Sequence, residues 1–426
     1  MNLSFTRRIE KSEQNLYLEI PFEVPAGVER IDIRYDYTRL REEVANGQRA
    51  RREVNIIDLA LIGPSDFVGA SGSNRTHIFV SKAHAARGYV PTEAVPGIWT
   101  IVAGAYHVED GGVDVRYDIE FTMKRRQLLK GDLHCHSTAS DGNLTTAELM
   151  QDAAKMGLDF LCVSDHNAFS QNDEMAAPPA GLTMLPGMEL THYDGHVNLM
   201  GARRPIRCPF PVNGKEALLG RLDEARSNGA LVSVNHPFSD CAWRFGLDLA
   251  MDCVEIWNGG TPPEQNLPAL KWWHGELCRG RRLPIVGGSD FHATEPMRTL
   301  ACPATWVYAD SREPGDILEA LKAGRGFVTL GHKGPTIDAH VGEAGLGEAA
   351  RGRRVRAEFG ALSAGDVVRV ITDLGEENIA APCAMAAFAV ERELPGARFV
   401  RFEVWKTEPP SMACLPRLIS NPIYFE

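Results

Sequence analysis

The chain has 426 residues, more than one hydrophobic core usually serves, so two or three domains are expected, and its 44% apolar content is enough to fill their cores. A formal charge of -11 argues against long nucleic acid as a partner, because phosphate contacts draw on clustered Lys and Arg, and leaves small or neutral substrates. Nine cysteines without a Cys-x-x-Cys pair read as thiols of a reducing compartment, and no leader or membrane-length apolar run occurs, so a soluble cytoplasmic protein is expected.

From about Leu16 to Met123 short runs alternate apolar and polar residues, as in Ile31 to Tyr35 and Ile98 to Val102, between Gly, Pro and Asn signals. This predicts a β-sandwich over residues 1–127, ending in the polar linker Lys124 to Gln127. From residue 128 to 331 strands alternate with helices. Thr145 and Glu148 form a capping-box start, Leu149, Met150, Ala153 and Ala154 follow at helical spacing, and Gly157 ends the helix. The strand Phe160 to Val163 comes next. The cycle repeats with a helix over Lys215 to Arg226, strands at Leu231 to Val234 and Val254 to Trp257, a helix near Leu267 to Cys278, and a strand at Pro284 to Val286. This pattern predicts βα repetition with buried parallel strands. Beyond Gly331 strands return at Val367 to Val370, Phe399 to Val404 and Pro422 to Phe425, a small C-terminal β-domain over 332–426.

His134 and His136, Asp165 and His166, His236, and Asp290 with His292 each stand at or just past the end of an apolar strand. In a βα-barrel those ends converge on one face. Side chains alternate along a strand, so His134 and His136 face one side and Cys135 the other, which makes Cys135 a poor ligand candidate. Carboxylates at Asp132, Asp141, Asp165, Glu189 and Asp290 add negative charge, and the mixed set suits Zn, Mn or Fe rather than Ca or Mg. The plain alternative, ordinary polar residues, requires several motifs to coincide at strand ends by accident. His192 reads as a ligand, a substrate contact or a loop residue, while His274, beside Trp272 and Trp273, reads as packing.

The runs Gly131 to Gly142 (GDLHCHSTASDG), Ser164 to Asn167, Gly187 to Glu189, Gly195-His196, Asn235 to Pro237 and Gly288 to His292 resemble the PHP (polymerase and histidinol phosphatase) superfamily over about Lys130 to Gly331. The resemblance implies an α/β fold, a distorted seven-stranded (β/α) barrel flanked by the two β-domains, with two or three divalent ions. It implies that His134, His136, Glu189 and Asp290 hold one ion, with Glu189 bridging to a second held by His196 and His236. Asp141, His166 and His292 would hold the third, Asp141 standing where histidinol phosphatases of the superfamily use histidine. The β-sandwich before the barrel, the junction at Gly324 to Val328 and Gly334-Pro335, and the ending Ser420 to Tyr424 resemble the carbaryl-hydrolase type.

These readings predict a metal-dependent hydrolase of small phosphoesters, in which water activated between the ions attacks and Asp165 orients a ligand or that water. Arg203, Arg204, Arg244 and Arg298 are candidates to clamp a phosphate. A carbamate or carboxyl-ester hydrolase and a non-catalytic binding or scaffold protein are the alternatives. The substrate is expected to be a small molecule, with no membrane contact and the oligomeric state open.

Overall fold

The computed structural model describes all residues except 1, 46–47, 83, 176–177, 208–211, 294–298, 382–384 and 407–414. They fall into two compact units, Met1–Arg125 and Arg126–Glu426.

The first unit consists of two four-stranded antiparallel sheets and a separate hairpin, Leu40–Ala45 with Gln48–Glu53. One sheet orders Asn2–Ile9, Val113–Met123, Val28–Asp36 and His77–Ser81; the other orders Tyr17–Val24, Gly97–His107, Ile56–Ile62 and Phe67–Ser71. Period-two alternation turns Ile31, Ile33, Tyr35 and Tyr117 of the first sheet toward Ile57, Leu59, Trp99 and Ile101 of the second, and all eight are buried in one cluster. The buried Tyr35 hydroxyl is satisfied by donating to the Ile57 carbonyl at 3.0 Å.

The second unit is strand-rich, with four α-helices among the described residues. Helix α1 spans Thr146–Lys155 and starts in the expected capping box: Thr145 Oγ1 accepts from the Glu148 amide at 3.2 Å, and the Glu148 carboxylate accepts from the Thr145 amide at 2.9 Å. Helix α2 spans Lys215–Ser227. Helix α3 runs Pro263–Cys278 and so begins four residues before the start read from periodicity, because prolines in a first turn have no amide bond to lose. Helix α4, Pro314–Lys322, was not anticipated from the sequence.

The strands are mixed rather than all parallel. Gln127–Cys135, Phe160–Val163 and Thr183–Pro186 pair in parallel, as do Leu231–Val234, Cys253–Asn258 and Ile285–Gly288. Glu189–His192 and Gly195–Met200 pair antiparallel, since two intervening residues cannot make the crossover that parallel neighbours need. Ladder hydrogen bonding among the described residues of this unit runs in an eleven-stranded, a five-stranded and a three-stranded sheet rather than in one continuous seven-stranded ladder. Parallel bridges at Cys135–Phe291 and His166–Glu189 tie the first two of these sheets where the strands end.

The C-terminal strands are not set apart either. Pro416–Ser420 pairs with Gly326–Thr329 on one side and Phe399–Lys406 on the other, and Phe327 shares a core with Val368, Phe402 and Leu418. Asn421 makes the junction: its buried Oδ1 accepts from the Ile285 amide at 2.9 Å and its Nδ2 donates to the Gly326 carbonyl at 3.1 Å. Asn421→Ala leaves these groups unpaired and is expected to lower unfolding free energy by about 1–3 kcal/mol in urea titration. A change below roughly 0.5 kcal/mol would show that the tail does not hold the Ile285 strand.

Candidate metal centre

The His134-Cys135-His136 alternation behaves as strand geometry requires. Cys135 packs in the core with Leu149 and Val163, and burial pushes its thiol well above the ordinary range. The two histidines face the opposite side. His134 Nε2 stands 3.3 Å from both Glu189 and Asp290, and His136 Nε2 stands 3.2 Å from Asp290 and 3.7 Å from Glu189.

Glu189 is the centre of the cluster. Fully buried, it opens the short strand Glu189–His192, and its Oε1 lies 3.3 Å from His196 Nδ1 and 3.6 Å from His236 Nε2. Its Oε2 lies 2.7 Å from His166 Nδ1. With His134 and His136, five imidazoles surround one carboxylate, and Asn235 Nδ2 donates to Oε1 at 2.7 Å. Burial alone would raise the Glu189 carboxyl, but His134, His166 and His196 hold it well below the ordinary carboxylate range. Conversely, burial opposes a charge on His134, yet Asp290, Glu255 and Glu189 raise it well above its usual value. The carboxylates thus favour positive charge at this spot.

Asp141 reaches the other side, 3.4 Å from His292 Nε2 and 3.7 Å from His166 Nε2. The turn that carries it closes from the Gly142 amide to the Ser137 carbonyl at 2.9 Å, and a Cβ on Gly142 would sit 2.2 Å from the His136 carbonyl oxygen, so only glycine fits. Asp165 does not face the imidazoles. Its oxygens accept from the Ser137 amide and hydroxyl at 2.7 Å each and from the Ser140 hydroxyl at 2.6 Å, so it fixes the Asp141 turn and no ligand ring.

Three groups result, each with donor atoms within 4.8 Å of one another: His134, His136 and Asp290; His134, Glu189 and His236; and His136, Asp141, His166 and His292. His196 joins through Glu189 and does not belong to these groups. His134 Nε2, His136 Nδ1 and His196 Nδ1 are buried without a hydrogen-bond partner. Unpaired ring nitrogens among buried carboxylates are costly unless a cation takes them up, so the residues fit a borderline divalent metal.

Three residues without a role in the sequence reading complete the site. Glu255, buried in the strand Cys253–Asn258, accepts from His134 Nδ1 at 3.0 Å and from the His236 amide at 3.0 Å. Asn258 Nδ2 donates to Glu255 at 2.9 Å and to Asp290 at 3.3 Å, and Asn235 holds Glu189. An ionisable residue inside the apolar run Val254 to Trp257 was the signal that marked Glu255. His236 and Asp290 take left-handed φ values of 26° and 51°, outliers held here by these bonds.

His192 is a pin, not a ligand. Its Nδ1 accepts from the Asp194 amide at 2.9 Å, which leaves Nε2 to donate to the Val212 carbonyl at 2.8 Å. His274 sits in α3 against Arg401 and Cys278, away from the cluster. Arg203, Arg204 and Arg244 are exposed and line neither the hollow of about 220 Å³ above the imidazoles nor the adjoining one of about 580 Å³. Arg244 faces Asp194 at 3.8 Å, and Arg298 lies outside the described residues.

A PHP-domain family model matches residues 132–224, the segment that carries His134, His136, Asp141, His166, Glu189 and His196. This segment of the chain is similar to PHP domains. The chain is 40% identical over 76 residues to a 5'-3' exoribonuclease of Haemophilus influenzae, covering 17% of this chain and 28% of that protein. It is 35% identical over 104 residues to a 3',5'-nucleoside bisphosphate phosphatase of Chromobacterium violaceum, covering 23% of this chain and 36% of that protein. The chain therefore spans well under half the length of these relatives. A solved two-domain structure from Bacteroides vulgatus, described as containing a predicted PHP-like metal-dependent phosphoesterase, aligns at TM-score 0.41 and 18% identity, over 68% of this chain and 95% of that one.

Replacing Glu255 by Gln removes the charge that fixes the His134 ring while keeping the shape. Calorimetric titration with Zn or Mn should show affinity falling by about 10–100-fold with an unchanged circular dichroism spectrum. Wild-type affinity in the variant would make Glu255 a packing residue only.

Proposed function

We propose that the chain is a metal-dependent hydrolase of small phosphoesters working with two or three divalent ions, Zn, Mn or Fe. The observation that carries this is the buried Glu189 carboxylate ringed by five imidazoles from four separate parts of the chain. His134, His136 and Asp290 would hold one ion, Glu189, His196 and His236 a second, and Asp141, His166 and His292 a third. Bound there, such ions acidify water and neutralise charge that builds on a phosphoryl or carbonyl oxygen. The chain's own residues supply placement. Glu255 holds His134 with Nε2 toward Glu189, Asn235 orients Glu189, and Asp165 sets the Asp141 turn. Ser239, Thr261 and Gln265 offer neutral hydrogen-bonding groups on the wall of the hollow above the imidazoles.

Both curated relatives described above act on phosphoesters, which supports the first reading. A second reading, hydrolysis of a carbamate or carboxyl ester of carbaryl-hydrolase type, is favoured by one observation: among the described residues no Lys or Arg lines either hollow. A reducing cytoplasmic setting is part of the proposal, supported by the six described free cysteines; no helix among the described residues is long and apolar enough to cross a membrane.

A panel of phosphomonoesters, phosphodiesters, aryl carbamates and carboxyl esters with added Mn or Zn separates the readings. Small phosphoesters are expected to turn over, EDTA to stop the reaction, and long DNA or RNA to remain intact. Glu189→Gln should cut turnover by at least about a hundredfold together with metal content, while His274→Gln keeps both. Metal-dependent cleavage of carbamates or carboxyl esters alone establishes the second reading. Full turnover and metal content in the Glu189 variant would sink the site assignment itself.

A further inference from the structure

The N-terminal unit carries a hollow of its own, on the outer face of the sheet formed by Tyr17–Val24, Gly97–His107, Ile56–Ile62 and Phe67–Ser71. The strand register sets Tyr17 opposite Gly104 and Gly104 opposite Asp58, so the three stand in one row across three strands. Tyr106, two residues beyond Gly104, shares that face. Gly104 has no room for a larger residue at ease: a Cβ there would lie 3.3 Å from the Asp58 side chain and 3.4 Å from the Tyr17 ring. The buried glycine therefore lets the Tyr17 ring and the Asp58 side chain come close together over it, in a hollow of about 170 Å³ bordered also by Asn15, Leu16 and Tyr106.

Two features of this hollow are unusual for a solvated sheet. Tyr17 and Tyr106 are 83% and 68% exposed, although large aromatics usually bury their faces. Asp58 is half-buried on an apolar floor, and among the described residues no hydrogen bond or ion pair holds its carboxylate. The outer face of the opposite sheet is different, with Arg34, Arg116, Asp118 and Glu120 paired among themselves.

We propose that this hollow binds a carbohydrate, one or two pyranose rings of a neutral glycan. A pyranose has an apolar C–H face that packs on aromatic rings, and a rim of hydroxyls that would donate to Asp58. Other occupants fit less well. An added peptide strand would pair along the edge strand Tyr17–Val24, where Pro21 removes a backbone donor. An anionic membrane or a nucleic acid would meet Asp58 and the neighbouring Glu19, with no Lys or Arg lining the hollow. A quaternary ammonium ion needs rings that close around it, whereas Tyr17 and Tyr106 sit at diagonal positions on an open floor.

The test uses the full chain in calorimetric titration against cello-, xylo-, manno-, malto- and chito-oligosaccharides, with choline as the cationic comparison. At least one sugar series is expected to bind, and Tyr17→Ala and Tyr106→Ala should each weaken it by about tenfold or more. Tyr17→Phe should retain binding and Asp58→Asn should weaken it, with melting temperature and metal content unchanged throughout. Absence of binding by every sugar, binding that survives both alanine variants, or uptake of choline in place of sugar would each overturn the proposal.

Discussion

A fully buried carboxylate cannot stand alone in a protein interior, and Glu189 is held by an amide and five imidazoles drawn from four other parts of the chain. That requirement shapes the second unit. His134 and His136 come from the end of Gln127–Cys135, His166 from the turn after Phe160–Val163, His196 from Gly195–Met200, and His236 from the turn after Leu231–Val234. Bringing these ends within a few ångströms requires strands backed by apolar packing on their far side. Helix α3 supplies part of it, with Leu270, Trp273 and Leu277 buried against Val254, Ile256 and Ile285. The same packing holds Glu255 beneath the histidines, so the apolar cluster and the polar one support each other.

The antiparallel pairing of Glu189–His192 with Gly195–Met200 follows from the same requirement. Glu189 pairs with Asn198 and Thr191 with His196, so Glu189, Thr191 and His196 project from one face of the hairpin. A diagonal neighbour on an antiparallel pair is close enough for polar side chains to meet, and His196 Nδ1 lies 3.3 Å from Glu189. Thr191 Oγ1 meets His166 Nδ1 at 2.6 Å and so orients a third ring from that face. A parallel crossover would have placed Glu189 and His196 on distant strands. The two-residue turn at Tyr193 and Asp194, followed by Gly195 at a φ of 121°, is therefore part of the metal centre as well as of the fold.

Much of this was legible in the sequence because it depends on local rules. The capping box at Thr145 and Glu148, the opposite facing of Cys135 between two histidines, and the strand-end placement of the ligand candidates all follow from short-range periodicity. What was not legible depends on distance in three dimensions. Glu255 meets His134 across 121 positions, and nothing in the run Val254 to Trp257 names its partner. The C-terminal strands read as a separate domain because strand grammar returns there, yet Pro416–Ser420 finds its hydrogen-bonding edge on Gly326–Thr329. Sequence position likewise does not tell that Arg203, Arg204 and Arg244 point into solvent, since an arginine near a motif and one in a pocket look alike.

The aspartates show why residue type at a strand end is an incomplete guide to role. Asp132, Asp165 and Asp290 each stand next to a histidine in the chain or two positions from one, but what satisfies them differs. Asp132 accepts from the amides of His134, Ser289 and Ala301 at 3.1, 3.0 and 2.6 Å, lashing the His134 strand to the segment that carries Asp290. Asp165 accepts from Ser137 and Ser140 and so holds the Asp141 turn. Only Asp290 turns its carboxylate to imidazoles, and the amide that precedes this turn donates to the His134 carbonyl at 2.7 Å. A carboxylate that already accepts three amide or hydroxyl hydrogen bonds has little left to offer an ion, whereas Asp290 accepts from Asn258 Nδ2 and otherwise faces ring nitrogens. The division of labour among these three aspartates is therefore set by hydrogen-bond supply, and it leaves Asp132 and Asp165 tying down segments beside the imidazole cluster while Asp290 faces the rings.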